Sequence, residues 1–228
     1  MKKTFCEKIL WVGITPDIWK YLIEEYPNLN IKEIKIKSKI KYDEILQRTP
    51  DIGSLKKNPL RVSLTVGIIW IAIYKALNEL DYNMSDEKFG EMVIKTSNAF
   101  IIKKSCEMKN PFNIKFQKKK ILKDKISNEI SDSEFNWNTE TILGKDKDQY
   151  TINYHKCGLC ALVKNEQCEK LLPYMCVLDY ILFEQMGAVL TRTKTLANGD
   201  ELCDFHICKK GSKWDKEINK VKEKNQTK

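Results

Sequence analysis

Two hydrophobic periods divide this chain unevenly. In its first part apolar residues recur at three- and four-residue spacing, the period of a helix with one buried face. Thr15-Pro16-Asp17 offers a hydroxyl N-cap, a proline at the first helical position and an acid in the first turn. That predicts a helix from here to about Tyr26, ahead of Pro27. Ile31 to Arg48 reads two ways: Ile34, Ile36, Ile40 and Tyr42 fit a strand period, whereas Asp43–Arg48 reads as helix. Asn58-Pro59 opens the longest predicted helix, through about Leu80, and Ser85-Asp86-Glu87 caps another that runs to about Lys103. These two are expected to form a helical hairpin with Val66, Ile69, Ile73, Leu77 and Leu80 in its core. The Lys-rich stretch from Lys103 to Ser133 reads as partly helical and exposed. Its Lys118-Lys119-Lys120 run is a solvated face or, alternatively, a phosphate contact.

The period then shortens. Tyr150, Ile152 and Tyr154 alternate with polar residues, which predicts a strand. Cys157 to Glu169 reads as a loop and short helix. Pro173 to Met186 reads as a helix closed by Gly187 at the C′ position. Val189–Ala197 and Glu201–Lys209 flank Asn198-Gly199, a strong two-residue hairpin signal. Helices come first, then strand, helix and hairpin. The order predicts an α+β fold: helices packed on an antiparallel sheet, with an N-terminal helical part and a C-terminal strand-helix-hairpin.

Composition narrows the class. The chain has 228 residues, 42% hydrophobic and 31% charged, which is a globular balance and enough to bury a sizeable core. We read residues 1–210 as a single domain, mainly helical over 1–135 and motif-bearing over 136–210. Residues 211–228 read as a basic, fraying tail. The formal charge of +9 invites a nucleic-acid or membrane-surface reading. The segment Thr151–Lys210 is neutral, however, with seven basic and seven acidic residues. The excess is scattered Lys elsewhere, so no nucleic-acid or membrane partner is expected. Met1 to Lys8 lacks the apolar core of a secretory peptide. The apolar run Val62–Leu77 is short for a span and contains Ser63, Thr65, Gly67 and Lys75, so it reads as a buried core helix. Six of the eight cysteines (157, 160, 168, 176, 203 and 208) fall in the neutral segment. Without secretion they are expected as reduced thiols in a cytoplasmic protein.

The hairpin arithmetic locates chemistry. With Asn198-Gly199 as a two-residue loop, paired positions sum to 397, so Thr191 faces His206, Thr193 faces Asp204 and Thr195 faces Leu202. One face then shows Thr191, Thr193, Thr195, Asp204 and His206; the other shows Arg192, Lys194, Cys203, Phe205 and Ile207. Cys203 and His206 therefore do not share an ion. Asp204 and His206 form either an oriented acid/base pair or a solvated polar face. On the helix Pro173–Met186, Cys176 and Asp179 lie three apart on one face. Either Cys176 is a small core residue and Asp179 is simply exposed, or the carboxylate is buried there and needs a partner, for which Arg192 is one candidate. Cys157-Gly158-Leu159-Cys160 is a C-x-x-C without the second pair that zinc prefers. Cys168, Cys176, Cys203 or His155 could complete a ligand set, but no spacing enforces it. A redox reading wants this motif at a helix start within a βαβ unit. No P-loop, G-x-G-x-x-G, H-E-x-x-H or G-x-S-x-G occurs, and we expect no metal and no cofactor.

Cys160, the run Leu171-Leu172-Pro173-Tyr174-Met175-Cys176-Val177-Leu178-Asp179-Tyr180, Gly187, Arg192 to Asp200, and Cys203-Asp204-Phe205-His206 together resemble the signature of the L-2-amino-thiazoline-4-carboxylic acid hydrolase family. The close likeness spans about Tyr150–Lys210. It implies a small α+β hydrolase of bacterial cytosol that opens a cyclic amidine to a carbamoyl-cysteine. On that likeness a thiolate from Cys176 or Cys203 attacks the amidine carbon, or an acid/base group activates water. Asp179 holds or protonates the ring nitrogen, and Arg192 fixes the substrate carboxylate with Thr193 and Thr195 beside it. Asp204 and His206 supply proton transfer if their face lines the pocket. The rival class is a non-catalytic sensor of small molecules, resembling 4-vinyl-reductase-type domains. The expected partner is a small-molecule substrate; association into a homo-oligomer stays open.

Overall fold

The structure, a computed structural model, describes residues 1–217. Six helices precede the sheet: α1 (Phe5–Glu25), α2 (Ile31–Arg48), α3 (Arg61–Glu79), α4 (Asp86–Thr96), α5 (Phe100–Glu107) and α6 (Ile114–Ile130). Strands β1 (Asn138–Leu143) and β2 (Gln149–Lys156) follow, then α7 (Gly158–Asn165), α8 (Leu172–Gln185), β3 (Ala188–Thr191) and β4 (Cys203–Lys209). The described strands form one antiparallel sheet in the order β1-β2-β4-β3. The α+β class expected from the sequence is the class observed.

Several boundaries differ from expectation, each for a physical reason. Helix α1 does not begin at Thr15. It starts eleven residues earlier, where Thr4 and Glu7 cap each other's backbone in a capping box, and it carries Pro16 inside. Leu10, Ile14, Ile18 and Leu22 make one buried stripe through the proline, which sits on the exposed side. That leaves α1, at 21 residues, longer than the 19-residue α3. Ile31–Arg48 is helical throughout. Its buried set is Ile34, Ser38, Tyr42, Ile45 and Leu46, a helical spacing, while Ile36 and Ile40 face solvent. The α4 helix stops at Thr96 and α5 begins afresh at Phe100. The main packing partner of α3 is α2 rather than α4; α3 meets α4 through Trp70, whose Nε1 donates to Thr96 Oγ1, and through the Tyr74–Phe89 ring pair.

Strand β1 escaped the sequence reading because its buried residues are Thr139 and Thr141, not apolar ones. Both hydroxyls donate to Asp124 of α6, which ties that helix to the sheet edge. The α8 helix and its Gly187 terminator, with φ of 71°, match the expectation. The hairpin matches in register but not in turn. Ala188 faces Lys209 and Thr191 faces His206, as the 397 sum requires. The ladder ends at Thr191, however, and residues 192–202 form a wider loop containing a short 3-10 turn, Leu196–Asn198, closed by Gly199 in the left-handed region. Thr195 caps that turn instead of facing Leu202. Past the sheet, residues 213–217 make a helical turn pinned by Trp214 Nε1 donating to Asp146. The remainder of the expected fraying tail lies outside the described residues.

Two hydrophobic cores result. The larger joins α1–α4 with α7 and α8; the smaller lies under the sheet and contains Tyr150, Ile152, Leu190, Cys203, Phe205 and Ile207. By length and composition α3 could cross a membrane, yet most of it is buried against neighbouring helices. Two buried acids lock the helical part. Glu7 receives Arg61 Nε at 2.7 Å, and Glu166 at the end of α7 receives Arg48 Nη2 at 2.6 Å and Lys75 Nζ at 2.5 Å.

Candidate active site

The seam between the two cores gathers the unusual chemistry. Strand β2 delivers Tyr154 and runs directly into Cys157, the residue that caps α7. Cys160 follows one turn later, its N–H donating to the Cys157 carbonyl at 3.1 Å. Helix α7 sits close against its supports on two sides. A Cβ on Gly158 would lie 2.2 Å from the Phe135 carbonyl oxygen, and one on Gly67 of α3 would lie 2.5 Å from Leu159. The Phe135 contact is with backbone, so only glycine admits the approach at 158, whereas at 67 the end of the Leu159 side chain would have to shift.

From the opposite side α8 presents Cys176 and Asp179 on one face. Arg192, just past β3, folds back over them. Its Nη1 donates to Asp179 Oδ2 at 3.3 Å, its Nη2 to the Cys176 carbonyl at 3.0 Å and its Nε to Tyr180 Oη at 3.0 Å. The guanidinium lies over the rings of Tyr180 and Phe205, with centroids at 4.6 and 5.3 Å. The Tyr154 ring packs at a tilt against Phe205, with centroids 4.7 Å apart. Cys203 opens β4 and accepts the Leu196 N–H on its sulfur at 3.2 Å.

This packing separates the ionisable groups. Burial pushes the Cys176 thiol up to about 12, with the Asp179 charge adding to the effect, and burial also raises Cys203. Cys157 moves the other way. The neighbouring Cys160 thiol stabilises its thiolate most, and the N–H groups of Cys160 and Leu159 at the open end of α7 add to this, outweighing burial. Cys160 is raised in turn. Asp179 is raised to about 6, because desolvation outweighs the pull of Arg192. Its side chain keeps 37% of its surface accessible, so the acid is crowded yet reachable.

The structure therefore brings Cys176, Asp179, Arg192 and Cys203 together, and adds Tyr154, Cys157 and Cys160. It puts Thr193, Thr195, Asp204 and His206 elsewhere. Asp204 accepts the N–H groups of Thr193 and Lys194 and the Thr193 hydroxyl, at 2.7–2.9 Å. Those bonds shape the 192–202 loop and hold the Asp204 carboxyl below the usual range, against a burial effect that would raise it. His206 is exposed on the outer sheet face, its Nδ1 3.2 Å from Thr151 Oγ1 and its Nε2 3.4 Å from Asp204. It shares with Thr193 an open groove of about 570 Å³, which Arg192 and Tyr180 also line. Arg192 is thus the member common to both regions. The signal that could have placed Cys157 was its position, directly after a strand and at a helix start. Among the described residues, no group of three His, Cys, Asp or Glu side chains is arranged to hold a metal ion.

The fold and seam define an α+β protein with a thiol–carboxylate cluster between helices and sheet. The sequence model of the L-2-amino-thiazoline-4-carboxylic acid hydrolase family matches residues 64–207, and the chain belongs to that family. The matched span starts within α3 and includes every residue of the cluster. No curated protein and no solved structure matches the chain.

Proposed function

We propose that this protein is a cytoplasmic hydrolase that opens a C–N bond in a small cyclic amidine resembling 2-aminothiazoline-4-carboxylate. The observation that carries the reading is a juxtaposition across the seam: Cys157 at the open start of α7 lies within electrostatic reach of Asp179 on α8, which Arg192 holds at 3.3 Å, and the thiol is held down while the carboxyl is held up. A binding module would need neither. Eight free thiols accord with a reducing compartment.

The chemistry follows from those two groups. Ionised Asp179 pairs with the amidinium, and Arg192, already stacked between two rings, meets the substrate carboxylate. A thiolate adds to the amidine carbon. Cys157 suits this step better than Cys176 or Cys203, whose burial keeps them protonated. The ring C–N bond then breaks and the departing nitrogen takes a proton relayed through Asp179. Water attacks the same carbon and displaces the thiolate. One water is consumed: its oxygen stays on the carbon and its protons finish on the released amine. The product is a carbamoyl-cysteine, and Cys157 returns unchanged.

The test is turnover of 2-aminothiazoline-4-carboxylate followed by mass spectrometry, with Cys157→Ser and Asp179→Asn beside the wild type. Loss of about a hundredfold or more in both variants is expected. Full activity in both variants would remove the assignment.

A further inference from the structure

A second cavity, of about 350 Å³, lies between α6, the inner face of β2 and the end of α8, outside the thiol cluster. Its composition is graded. Lys109 and Lys119 are exposed, Lys120 and Lys123 are half-buried, and Tyr150 and Ile152 are buried. Phe116 and Phe183 add aromatic wall. Lys120 pairs with Asp124, whereas Lys109, Lys119 and Lys123 have no acidic partner among the described residues. Tyr150, 3% exposed, and half-buried Tyr154 line the cavity beside Ile152.

We infer that this cavity is a binding site for an amphipathic monoanion: an apolar body seated against Tyr150, Ile152 and Phe183, with a carboxylate among the α6 lysines. The volume falls in the lower part of the ligand-site range of roughly 300–1,000 Å³. Asp124 on the same wall opposes a doubly charged group, which favours a carboxylate over a phosphate. The Lys-rich helix thereby acquires a role distinct from a solvated face. The cavity borders the cluster at Tyr154, but it does not depend on the hydrolase reading, since none of the cluster's thiols and neither Asp179 nor Arg192 lines it.

Displacement of the fluorescent anion 1-anilinonaphthalene-8-sulfonate by decanoate tests this, with decanol and inorganic phosphate as competitors. Decanoate should displace the dye saturably, decanol much more weakly, and phosphate not at all. Lys119→Gln with Lys123→Gln should weaken decanoate binding about tenfold and flatten its salt dependence, while Lys118→Gln, outside the cavity lining, changes nothing. Equal displacement by decanol, competition by inorganic phosphate, non-saturable binding, or an unaltered double-lysine variant would each overturn the assignment.

Discussion

Arg192 holds Asp179 at 3.3 Å without restoring an ordinary carboxyl, because desolvation raises the acid to about 6 against that pull. The consequence is a pH limb. The ionised form pairs with substrate, so kcat/KM should rise as pH passes upward through about 6 and then level. Asp179→Asn should lower the plateau and remove that limb. A variant that keeps the limb would assign it to another group. Arg192→Lys retains charge but not the stacked, forked geometry, and should raise KM more than it lowers kcat.

The four seam thiols should react in a fixed order. One pKa unit of separation is about a tenfold difference in thiolate fraction. Cys157 is lowered while Cys176 stands at about 12, so iodoacetamide at neutral pH should label Cys157 well before Cys176, Cys203 or Cys160. Cys160→Ala removes the largest stabiliser of the Cys157 thiolate and should slow that labelling. Peptide mapping of the alkylated chain reads both. Earlier labelling of Cys176 would transfer the nucleophile to α8.

How much of this was legible in the sequence depended on which interaction set each position. Gly187 closes α8 by local backbone preference, and the β3–β4 register follows from an odd–even rule, so both were readable. Thr139 and Thr141 are buried because a distant Asp124 receives their hydroxyls, and no local hydrophobic pattern marks such a strand. Pro16 reads as a start, yet the capping box at Thr4 and the stripe on its buried side decide where α1 begins. In the site, the three-residue spacing of Cys176 and Asp179 placed them on one face, and the family resemblance, not the pattern alone, grouped them with Arg192 and Cys203. The tuning of Cys157 is local to its C-x-x-C, but bringing that motif against Asp179 depends on α7 docking against α3 and Phe135, which no spacing shows.

That docking makes Glu166 a structural test. Its carboxylate is 1% exposed and bonded to Arg48 and Lys75. Burial alone would raise its pKa; the two cations outweigh this and hold it below the usual range. Glu166→Ala leaves two cations facing a hole and should cost about 3 kcal/mol in urea denaturation. The folded-state pKa is depressed, so the stabilisation is present at neutral pH and fades as pH falls below the ordinary glutamate range. Wild type and variant should therefore converge in acid. A loss unchanged by pH would point to packing alone.

Gly158 tests the same docking from the backbone. Alanine there would set a Cβ 2.2 Å from the Phe135 carbonyl oxygen and 2.7 Å from the Trp137 ring. Neither is the free end of a flexible chain, so α7 must move. A cost of about 2 kcal/mol is expected, together with a change in the Cys157 labelling rate as the helix terminus shifts. Unchanged stability would mean that the strand-to-α7 junction is more compliant than this contact implies.

Asp204 and His206 decide whether chemistry also reaches the outer groove. General acid–base catalysis contributes about 10²–10⁴-fold, so a proton-transfer role for His206 would show as a loss of at least about a hundredfold in His206→Gln. Its ring is 53% exposed and lies on the sheet face opposite Cys203, so the expected loss is within about threefold. Asp204→Ala should instead act through stability. It frees two backbone N–H groups and the Thr193 hydroxyl that shape the loop carrying Arg192, at a cost of about 2 kcal/mol. Any activity lost with Asp204 should return when the loop is stabilised by saturating substrate, appearing as a raised KM with kcat retained. A hundredfold fall in kcat for both variants would move the reaction to the 570 Å³ groove, with Arg192 as the only residue of the seam cluster still in contact with it.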